Sequence, residues 1–460
     1  MKIANQKISA ERLVRDALEK AKHFADYNIF TSLDEEGALK KARAIDARIA
    51  KGEKVGRLAG VPFAVKDNFL TTGDETTASA HILNEFVAPF NATIIQKLEA
   101  EGAIPIGHTN MDTFGHGSST ENSYYGPTLN PYNKEYVPGG SSGGSAASVA
   151  LEIVEFATAT DTGGSIRQPA AFSGVYGLKP TYGTNSRYGV IAMISSTDCV
   201  GYIAKDPADI DLLMSITAGQ DPKDQTSLPD YYNDSKIDSG KKRIGIIKDF
   251  DNDVIAPEIR SALKKQCEKM VAAGHEVVEL EMPTLKYALP VYYVICMAEI
   301  SSNLSRYDGV RYGFRAEDST NLDKLYVNTR GEGFMPESRR RIMIGNFVLS
   351  SGFYDAYFLK AAKARTLIIN EYQKAFSQCD FILAPVAPSP PFKLGAKTSD
   401  PVSMYLEDLM TVPVSLAGVP GLTIPAGKTE SGLPIGLQLV GPRRSDKNLL
   451  NFAKELQENA

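Results

Sequence analysis

The sequence predicts an α/β fold, because helical and strand patterns alternate along its 460 residues. An apolar run at residues 60–68, GVPFAVKDN, is typical of a buried strand, and at 91–110 a helical pattern and a second apolar run follow it. The same order returns later, with a strand at 243–250, a helix at 256–274 and a strand at 275–280. Two such units indicate a sheet that continues through both halves of the chain.

The first predicted element is an amphipathic helix. Its apolar residues recur at helical spacing and are Leu13, Val14, Ala17, Leu18, Ala21 and Phe24. This pattern predicts a surface helix that packs one face on the core. No apolar run approaches the roughly 18 residues that a membrane span requires. We therefore expect a cytoplasmic protein without a membrane segment.

The elements that follow have recognisable ends. The apolar run at 60–68 ends in charged residues, so Lys66 should lie at the end of this strand. The helix within 91–110 should stop at Gly102. Residues 221–242 are polar and rich in turn formers, which predicts a surface connection. The helix at 256–274 should then bury one face, made of Ile259, Leu263, Cys267, Met270 and Val271.

Composition excludes several classes of protein. The chain is 43% hydrophobic and 23% charged, as expected of a globular protein. Its net charge of -5 argues against a protein that coats nucleic acid or membranes, although the run SRRRI at 338–342 leaves a local basic patch open. The cysteines are Cys199, Cys267, Cys296 and Cys379. They form no CxxC pair, which predicts reduced, buried thiols rather than disulfides or a zinc site.

The segment TDTGGSIRQPA, at 160–170, places two glycines directly before Ser165. A plain turn explains such a pair, but glycines also let the main chain approach another group closely. A serine nucleophile needs backbone N–H groups aimed at the oxyanion that forms on its substrate. The segment is therefore a candidate nucleophile site in which Gly163 and Gly164 shape the loop.

A second Gly/Ser loop, VPGGSSGGSAASVALEIV at 137–154, leads into a predicted helix. Hydroxyl and free amide groups would gather at the positive end of that helix. A phosphate-binding loop would look similar, but the P-loop pattern requires a lysine after its glycines and none follows here. A flexible linker fits poorly between a strand and an amphipathic helix.

Lys66 is open to two interpretations. A lysine after a buried strand is commonly a solvated strand end, but it could act as a general base if its surroundings lower its pKa. The histidines of the chain are His23, His81, His108, His116 and His275. None stands in a setting that makes it the partner of Ser165, so the sequence does not support a Ser-His-Asp triad.

Taken together, GVPFAVKDN, PGGSSGGSAA and DTGGSIRQPA resemble the motifs of the amidase signature family. The resemblance implies an α/β fold, in which a single large domain over residues 1–460 has a mixed central sheet covered by helices on both faces. Its signature core would span about 56–200, the surface connection about 220–242 and a second α/β portion 243–460.

The same resemblance implies a Ser, cis-Ser, Lys triad. Ser165 would be the nucleophile that forms an acyl-enzyme, and Ser141, in a cis peptide, would relay a proton between Ser165 and Lys66. The amides expected around the oxyanion are those of Thr162, Gly163, Gly164 and Ser165. Arg167 would brace the loop through a carboxylate such as that of Asp161.

Longer stretches outside these motifs resemble one branch of the family, the glutamine-hydrolysing A subunits of tRNA-dependent amidotransferases. They include NMDTFGHGSSTENSYYG, ESRRRIMIGNFVLSSGFYDAYFLKA and SMYLEDLMTVPVSLAGVPG. The resemblance implies a heterotrimer with B and C subunits, in which a partner binds mischarged tRNA and uses ATP and Mg²⁺ to amidate Glu-tRNA(Gln), Asp-tRNA(Asn) or both. No metal or organic cofactor is expected in this chain.

In that branch, an arginine, an aspartate and a tyrosine hold the α-carboxylate and α-amino group of glutamine, which implies the same role for Arg341, Asp408 and Tyr292. A guanidinium fork suits a carboxylate, and a buried carboxylate suits an ammonium. Without the resemblance, we would interpret Arg341 as one of three arginines on a solvated helix face and Asp408 as a surface charge.

Three positions depart from the pattern of the branch. Where its members usually read GKxNMDEFAMG, this chain has GHTNMDTFGHG, so His108, Thr113 and His116 are substitutions near the wall of the site. Two alternative functions stay open. A free-standing amidase could act on another amide, or the chain could be a non-catalytic scaffold that keeps the fold.

Overall fold

The computed structural model describes residues 8–248 and 253–458. Its helices are α1 (Ala10–His23), α2 (Glu35–Ala50), α3 (Thr93–Ala100), α4 (Gly143–Ala150), α5 (Arg167–Phe172), α6 (Pro207–Thr217), α7 (Pro257–Ala272), α8 (Ala288–Asn303), α9 (Leu322–Gly333), α10 (Pro336–Leu349), α11 (Lys360–Ala375), α12 (Pro401–Tyr405), α13 (Val412–Ala417) and α14 (Asp446–Glu458). Its strands are β1 (Phe30–Leu33), β2 (Pro62–Lys66), β3 (Ile104–Thr109), β4 (Phe156–Asp161), β5 (Tyr176–Lys179), β6 (Cys199–Ala204), β7 (Arg243–Ile247), β8 (Glu276–Leu280), β9 (Phe381–Pro385), β10 (Gly421–Lys428) and β11 (Pro434–Val440).

These strands form one mixed sheet. Its order is β1-β3-β2-β4-β6-β5-β10-β11-β9-β7-β8. The neighbours of β2 and of β7 run parallel to them, whereas the pairs in the middle of the sheet, from β4–β6 to β9–β11, are antiparallel. The strands β10 and β11 therefore lie between β5 and β9, although they come last in the sequence.

Helices cover both faces of this sheet, as predicted. In β2, Phe63 and Val65 face a core that also contains residues of α3, α6, α7 and α14. Ala64 points the other way, into a core shared with α1, α2 and α4. At the other end of the sheet, Ile382 of β9 packs on the same side as Ala64, against α8, α11 and α13. Two apolar cores thus lie on this second face, and α5 packs on β5, β10 and β11.

Several predicted elements are confirmed with small shifts. The helix α1 begins after Ser9, whose hydroxyl accepts a hydrogen bond from the N–H of Arg12. The helix α3 ends at Ala100, and Gly102 follows with a φ of +86°. The strands β2 and β3 are parallel and flank α3 in sequence, so the βαβ unit is present. Lys66 is the last residue of β2.

The second half differs in detail from its prediction. The strand predicted at 243–250 ends at Ile247, and residues 249 and 250 lie outside the described residues. Val271 was expected on the buried face of α7 but is 55% exposed, because the helix packs through Ile259, Leu263 and Met270. Residues 221–242 contribute none of the helices and strands named above, and the division of the chain there stays a prediction.

The structure also bears on the predictions made for cysteines, membrane segments and metal sites. Cys199, Cys296 and Cys379 are buried free thiols, whereas Cys267 is partly exposed, contrary to the prediction. No helix in residues 8–248 or 253–458 combines the length and apolar character that a membrane crossing needs. In the same ranges, no three His, Cys, Asp or Glu side chains cluster in a way that could hold a metal ion.

Candidate active site

The ammonium group of Lys66 is buried among hydroxyl groups at the carboxyl end of β2. Its Nζ lies 2.9 Å from Ser141 Oγ, 2.8 Å from Ser142 Oγ and 2.9 Å from Thr160 Oγ1. Ser142 Oγ also lies 3.3 Å from the carbonyl oxygen of Thr160, to which it donates. The interpretation of Lys66 as a solvated strand end is therefore wrong, since this side chain is fully buried.

Burial also changes the acidity of Lys66. Desolvation lowers its pKa to about 7, although Asp112, Asp161 and Asp198 favour the charged form. A substantial fraction of the amine is therefore neutral near pH 7. A neutral amine has two N–H donors and one lone pair, so it can donate to two of its three hydroxyl neighbours and accept from the third.

Ser141 lies in a loop that is fixed from several sides. The peptide bond between Gly140 and Ser141 is cis, as the resemblance implied. The N–H of Gly140 donates to Gln168 Oε1 at 2.9 Å, and the N–H of Ser142 donates to the carbonyl oxygen of Ser165 at 3.2 Å. These contacts join the Ser141 loop to the loop that carries Ser165.

The two glycines before Ser165 are required by close neighbours. A Cβ on Gly163 would lie 2.5 Å from the hydroxyl oxygen of Tyr292, and one on Gly164 would clash with Thr411 Oγ1. Gly164 also has a φ of +148°. The glycine pair is therefore more than a plain turn, because it lets the main chain pass directly against two side chains.

The amides of this loop are available to a ligand. Over residues 162–165, which the structure describes, no amide N–H donates to a backbone or side-chain acceptor. The amides that follow are used: those of Ile166 and Arg167 donate to Asp161, and that of Gln168 donates to the carbonyl oxygen of Gly164. A group of unpaired donors beside a serine is suited to a developing negative charge.

Arg167 braces this loop, as predicted. Its Nε and Nη2 each donate to Asp161 at 3.0 Å, and its Nη1 donates to Gln438 Oε1 and to the carbonyl oxygen of Thr411. Burial alone would raise the pKa of Asp161, but the guanidinium beside it holds that pKa below its usual value. The contacts join β4 and α5, on either side of the loop, to β11 and to the start of α13.

Thr162 is fixed by a separate carboxylate. Its hydroxyl donates to Asp198 Oδ1 at 2.7 Å, and Asp198 also accepts from the N–H groups of Met193 and Ile194. A cavity of about 10 Å³ lies between Thr162, Asp198 and Asn68. That volume is about what one water molecule needs.

The predicted substrate-binding residues form a second, aromatic part of the site. Arg341 is 3% exposed, and its Nε donates to Glu337 Oε1 at 2.9 Å. Its guanidinium lies over the rings of Tyr293 and Tyr405, 5.8 and 5.5 Å from their centres. The interpretation of Arg341 as a solvated charge is therefore wrong.

Asp408 is the second charged residue of this aromatic part of the site. It accepts hydrogen bonds of 2.7 Å from the hydroxyls of Ser118 and Tyr293. Burial raises its pKa to about 6, although both hydroxyls favour the ionised form. Because the rings of Tyr293 and Tyr405 stack with centres 4.2 Å apart, they connect the surroundings of Arg341 to those of Asp408.

Four residues of this cluster were not predicted from the sequence. Glu337 lies one helical turn before Arg341, and that i, i+4 spacing could have indicated the pair. Tyr405 precedes Asp408 by three residues, and this spacing indicates a contact less clearly than that of Glu337 and Arg341. No pattern in the sequence distinguishes Tyr293 or Ser118 from its neighbours.

The three departures from the branch pattern lie in two places. His108 Nδ1 is 3.2 Å from Asp67 Oδ1, and Thr113 Oγ1 donates to the carbonyl oxygen of Ser79. His116 instead faces α10, where its Nδ1 lies 2.9 Å from the hydroxyl of Ser338.

The sequence matches the family model described as amidase over residues 12–450. The chain belongs to the amidase signature family. It is 50% identical over 428 residues to the A subunit of glutamyl-tRNA(Gln) amidotransferase from Thermosynechococcus vestitus, and the match covers 92% of this chain and 89% of that relative. This amidase-family chain is therefore an enzyme.

Solved structures agree with that membership. The crystal structure of the A subunit of glutamyl-tRNA(Gln) amidotransferase from Thermotoga maritima superposes with a TM-score of 0.81 at 36% identity, over 98% of this chain and 92% of the other. A crystal structure described as an amidase superposes with a TM-score of 0.85 at 31% identity, over 99% and 98% of the two chains. The amidase signature fold, predicted from three motifs, is thus confirmed.

Proposed function

We propose that this chain is the glutaminase subunit of a tRNA-dependent amidotransferase. It hydrolyses glutamine through an acyl-enzyme on Ser165 and delivers ammonia to a partner subunit that amidates Glu-tRNA(Gln), Asp-tRNA(Asn) or both. The observation that carries the proposal is the buried Lys66 amine, which lies 2.9 Å from Ser141 and has its pKa lowered to about 7. The names of the similar proteins support the choice of substrate and partner.

Acylation begins with a proton transfer. Neutral Lys66 donates its two N–H groups to Ser142 and Thr160, so its lone pair faces the hydroxyl of Ser141. As Lys66 takes the proton of Ser141, Ser141 takes that of Ser165, and Ser165 Oγ attacks the side-chain amide carbon of glutamine. The unpaired amides of residues 162–165, among them those of Thr162, Gly163 and Gly164, stabilise the oxyanion.

The protons then return along the same path. Lys66 gives its extra proton back through Ser141 to the leaving nitrogen, the C–N bond breaks and ammonia departs. Water, activated by the same base, attacks the ester on Ser165 and releases glutamate. The cycle consumes one glutamine and one water, and it restores every side chain.

The glutamine itself is held at its α-carbon. Arg341 binds the α-carboxylate, since its guanidinium is fixed by Glu337 at Nε and by two aromatic rings. Asp408 binds the α-ammonium, whose positive charge lowers the raised pKa of that carboxylate. Tyr292, with its hydroxyl against Gly163, positions the substrate between this cluster and Ser165.

A partner subunit is part of the proposal. The helix α10 and the segment after it expose an aromatic cluster, defined by Phe347, Phe353 and Tyr357, which are 47%, 41% and 43% exposed; Met343 of α10 is 71% exposed. The rings of Phe347 and Phe353 lie 4.2 Å apart, so the surface is contiguous. Contiguous exposed apolar surface marks an interaction site. We assign it to the B or C subunit of a cytoplasmic heterotrimer, in which ATP and Mg²⁺ act on the partner and the tRNA binds mainly there.

The decisive test is Ser165→Ala in the complex purified from the native cell. This variant should lose glutamine hydrolysis by at least about 1,000-fold, as removal of a nucleophile does, while its thermal unfolding stays unchanged. Ser377→Ala is the control, because it removes a hydroxyl that donates a hydrogen bond to the carbonyl oxygen of Lys374 at the end of α11. Glutaminase activity close to that of the unmodified enzyme in Ser165→Ala would exclude the acyl-enzyme.

The same preparation distinguishes the alternatives. Two other subunits should copurify with the chain, and glutamine turnover should rise when those subunits and charged tRNA are present. Rapid turnover by the isolated chain, unaffected by either addition, would instead indicate a free-standing amidase. A complex that amidates tRNA with ammonium and never with glutamine would indicate a non-catalytic scaffold.

A further inference from the structure

A short loop, residues 115–118, connects the triad to the substrate cluster. At its start, a Cβ on Gly115 would lie 3.6 Å from Ser141 Oγ. At its end, Ser118 donates to Asp408. Between them lies His116, which is fully buried. This histidine therefore forms part of the wall between the nucleophile and the predicted position of the α-carbon.

His116 is paired through only one ring nitrogen. Its Nδ1 lies 2.9 Å from Ser338 Oγ, on α10. Ser338 and Arg341 are three residues apart on that helix, so they share one face, and both are buried. Within the part of the chain that the structure describes, the buried Nε2 of His116 has no hydrogen-bond partner. An unpaired buried polar atom is costly, so this nitrogen is available to a polar group of a substrate that enters the site.

The protonation state of His116 determines which kind of group this nitrogen can bind. Burial, and then the positive charge of Arg341, lower the pKa of His116 well below its usual value, so the ring is neutral near pH 7. A neutral imidazole has one donor and one acceptor nitrogen. When the hydroxyl of Ser338 donates to Nδ1, the ring proton sits on Nε2. His116 then presents a donor beside the guanidinium of Arg341 and needs an acceptor.

We infer that His116 is a substrate-binding residue that donates its Nε2–H to the α-carboxylate of the amino-acid substrate, alongside Arg341. The inference rests on the proposed function, since it takes the carboxylate at Arg341 to be that of glutamine. A carboxylate offers two oxygens, one for the guanidinium and one for the imidazole. His116 thereby favours amides that carry an α-carboxylate over amides that lack one.

The test compares two substrates in the purified complex. L-Glutamine carries the α-carboxylate, and 4-aminobutanamide is the same molecule without it. His116→Asn keeps a polar group near Nδ1, where it can still bond Ser338, and removes the Nε2 donor. The ratio of kcat/KM for glutamine to kcat/KM for 4-aminobutanamide should fall about 10- to 100-fold, the range of one hydrogen bond to a charged group. His116→Gln, which returns an amide N–H near Nε2, should recover part of that ratio.

The possible results separate this inference from the function on which it rests. If His116→Asn lowers kcat/KM for both substrates by the same factor, or changes neither, His116 does not bind the carboxylate. If His116→Asn does not fold, His116→Met, which also lacks the Nε2 donor, takes its place: a ratio at least 10-fold below that of the unmodified complex supports the inference, and an unchanged ratio overturns it. If the unmodified complex does not hydrolyse glutamine, the proposed function fails and the inference falls with it.

Discussion

Lys66 combines complete burial with three hydroxyl neighbours, and the consequence is a measurable pH dependence. Because the base must be neutral and its pKa is about 7, kcat/KM for glutamine should rise with pH through about 7 and level off above it. In Lys66→Arg, kcat/KM for glutamine should fall by at least about 100-fold, since a guanidinium keeps its proton at any working pH. The measurement is a pH profile of glutaminase activity for both enzymes.

The control for that substitution is Lys242→Arg. Lys242 is also buried, at 4% exposure, and is paired with Asp238 at 2.7 Å. It should tolerate the exchange with activity intact. Glutamine hydrolysis retained by Lys66→Arg, or a rate that does not change between pH 6 and pH 8, would contradict the role of Lys66 as the base.

Arg341 and Asp408 should make the enzyme specific for glutamine over neutral amides. Removing either side chain leaves a charge of the bound substrate without its partner, which costs about 2 to 5 kcal/mol and thus tens- to thousands-fold in kcat/KM. Arg341→Ala and Asp408→Ala should lose glutamine hydrolysis and still support amidation of tRNA with ammonium. The measurement is the ratio of kcat/KM for glutamine to kcat/KM for a neutral amide, in the unmodified enzyme and in both variants. If neither variant changes that ratio, these residues do not recognise glutamine.

At the scale of elements, Arg167 joins the loop that carries Ser165 to β11 and α13. Arg167→Lys removes the two-point contact with Asp161 and leaves buried acceptors unpaired, so the free energy of unfolding should fall by about 3 to 5 kcal/mol. Urea unfolding at pH 7 measures this loss. Arg15→Lys is the control, because it alters an exposed ion pair with Glu11 on α1 and should change stability by less than about 1 kcal/mol.

The same ion pair predicts an acid limit. The pKa of Asp161 lies below its usual 3.8 in the folded protein. Its contribution to stability is therefore present above the unfolded value and is lost as the pH falls through the lowered one. An Arg167→Lys protein as stable as the unmodified one would mean that other contacts hold the loop.

Local elements could be predicted from the sequence because their signals are local. The unit β2-α3-β3 follows from two apolar runs and a glycine, and the glycine pair before Ser165 indicated close neighbours. Those neighbours, Tyr292 and Thr411, could not be identified from the chain alone, because they lie more than 100 residues away. The order of the sheet was equally hidden, since the pairing of β5 with β10 leaves no periodic signal in either strand.

The candidate site likewise contains residues that could be predicted from the sequence and residues that could not. The triad could be predicted because each proposed member lies in a motif of several residues. Tyr293 and Ser118 bind Asp408 as single residues in ordinary surroundings, so only the folded chain reveals them. His116 was noted as a departure from a pattern, but its unpaired Nε2 is a property of the tertiary structure.

At the scale of the whole molecule, the aromatic cluster on α10 should be the site of subunit contact. Phe347→Asp places a charge in its centre and should reduce copurification of the partner subunits about 10-fold or more, as loss of a central apolar contact does. Ile49→Asp is the control, because Ile49 is 51% exposed on α2 and lies in no aromatic cluster of the described residues. Copurification that Phe347→Asp leaves intact would place the partner elsewhere.

The position of β10 and β11 in the middle of the sheet has a consequence for biosynthesis. The ribosome synthesises β5, and later β9, before residues 421–440, so the nascent chain carries two open sheet edges until its last strands arrive. Gln438 of β11 and the segment around Thr411 also hold Arg167, and so the loop of Ser165 is completed only at that moment. An unfinished polypeptide therefore lacks the contacts that hold the loop of Ser165, and we expect it to be inactive until translation ends.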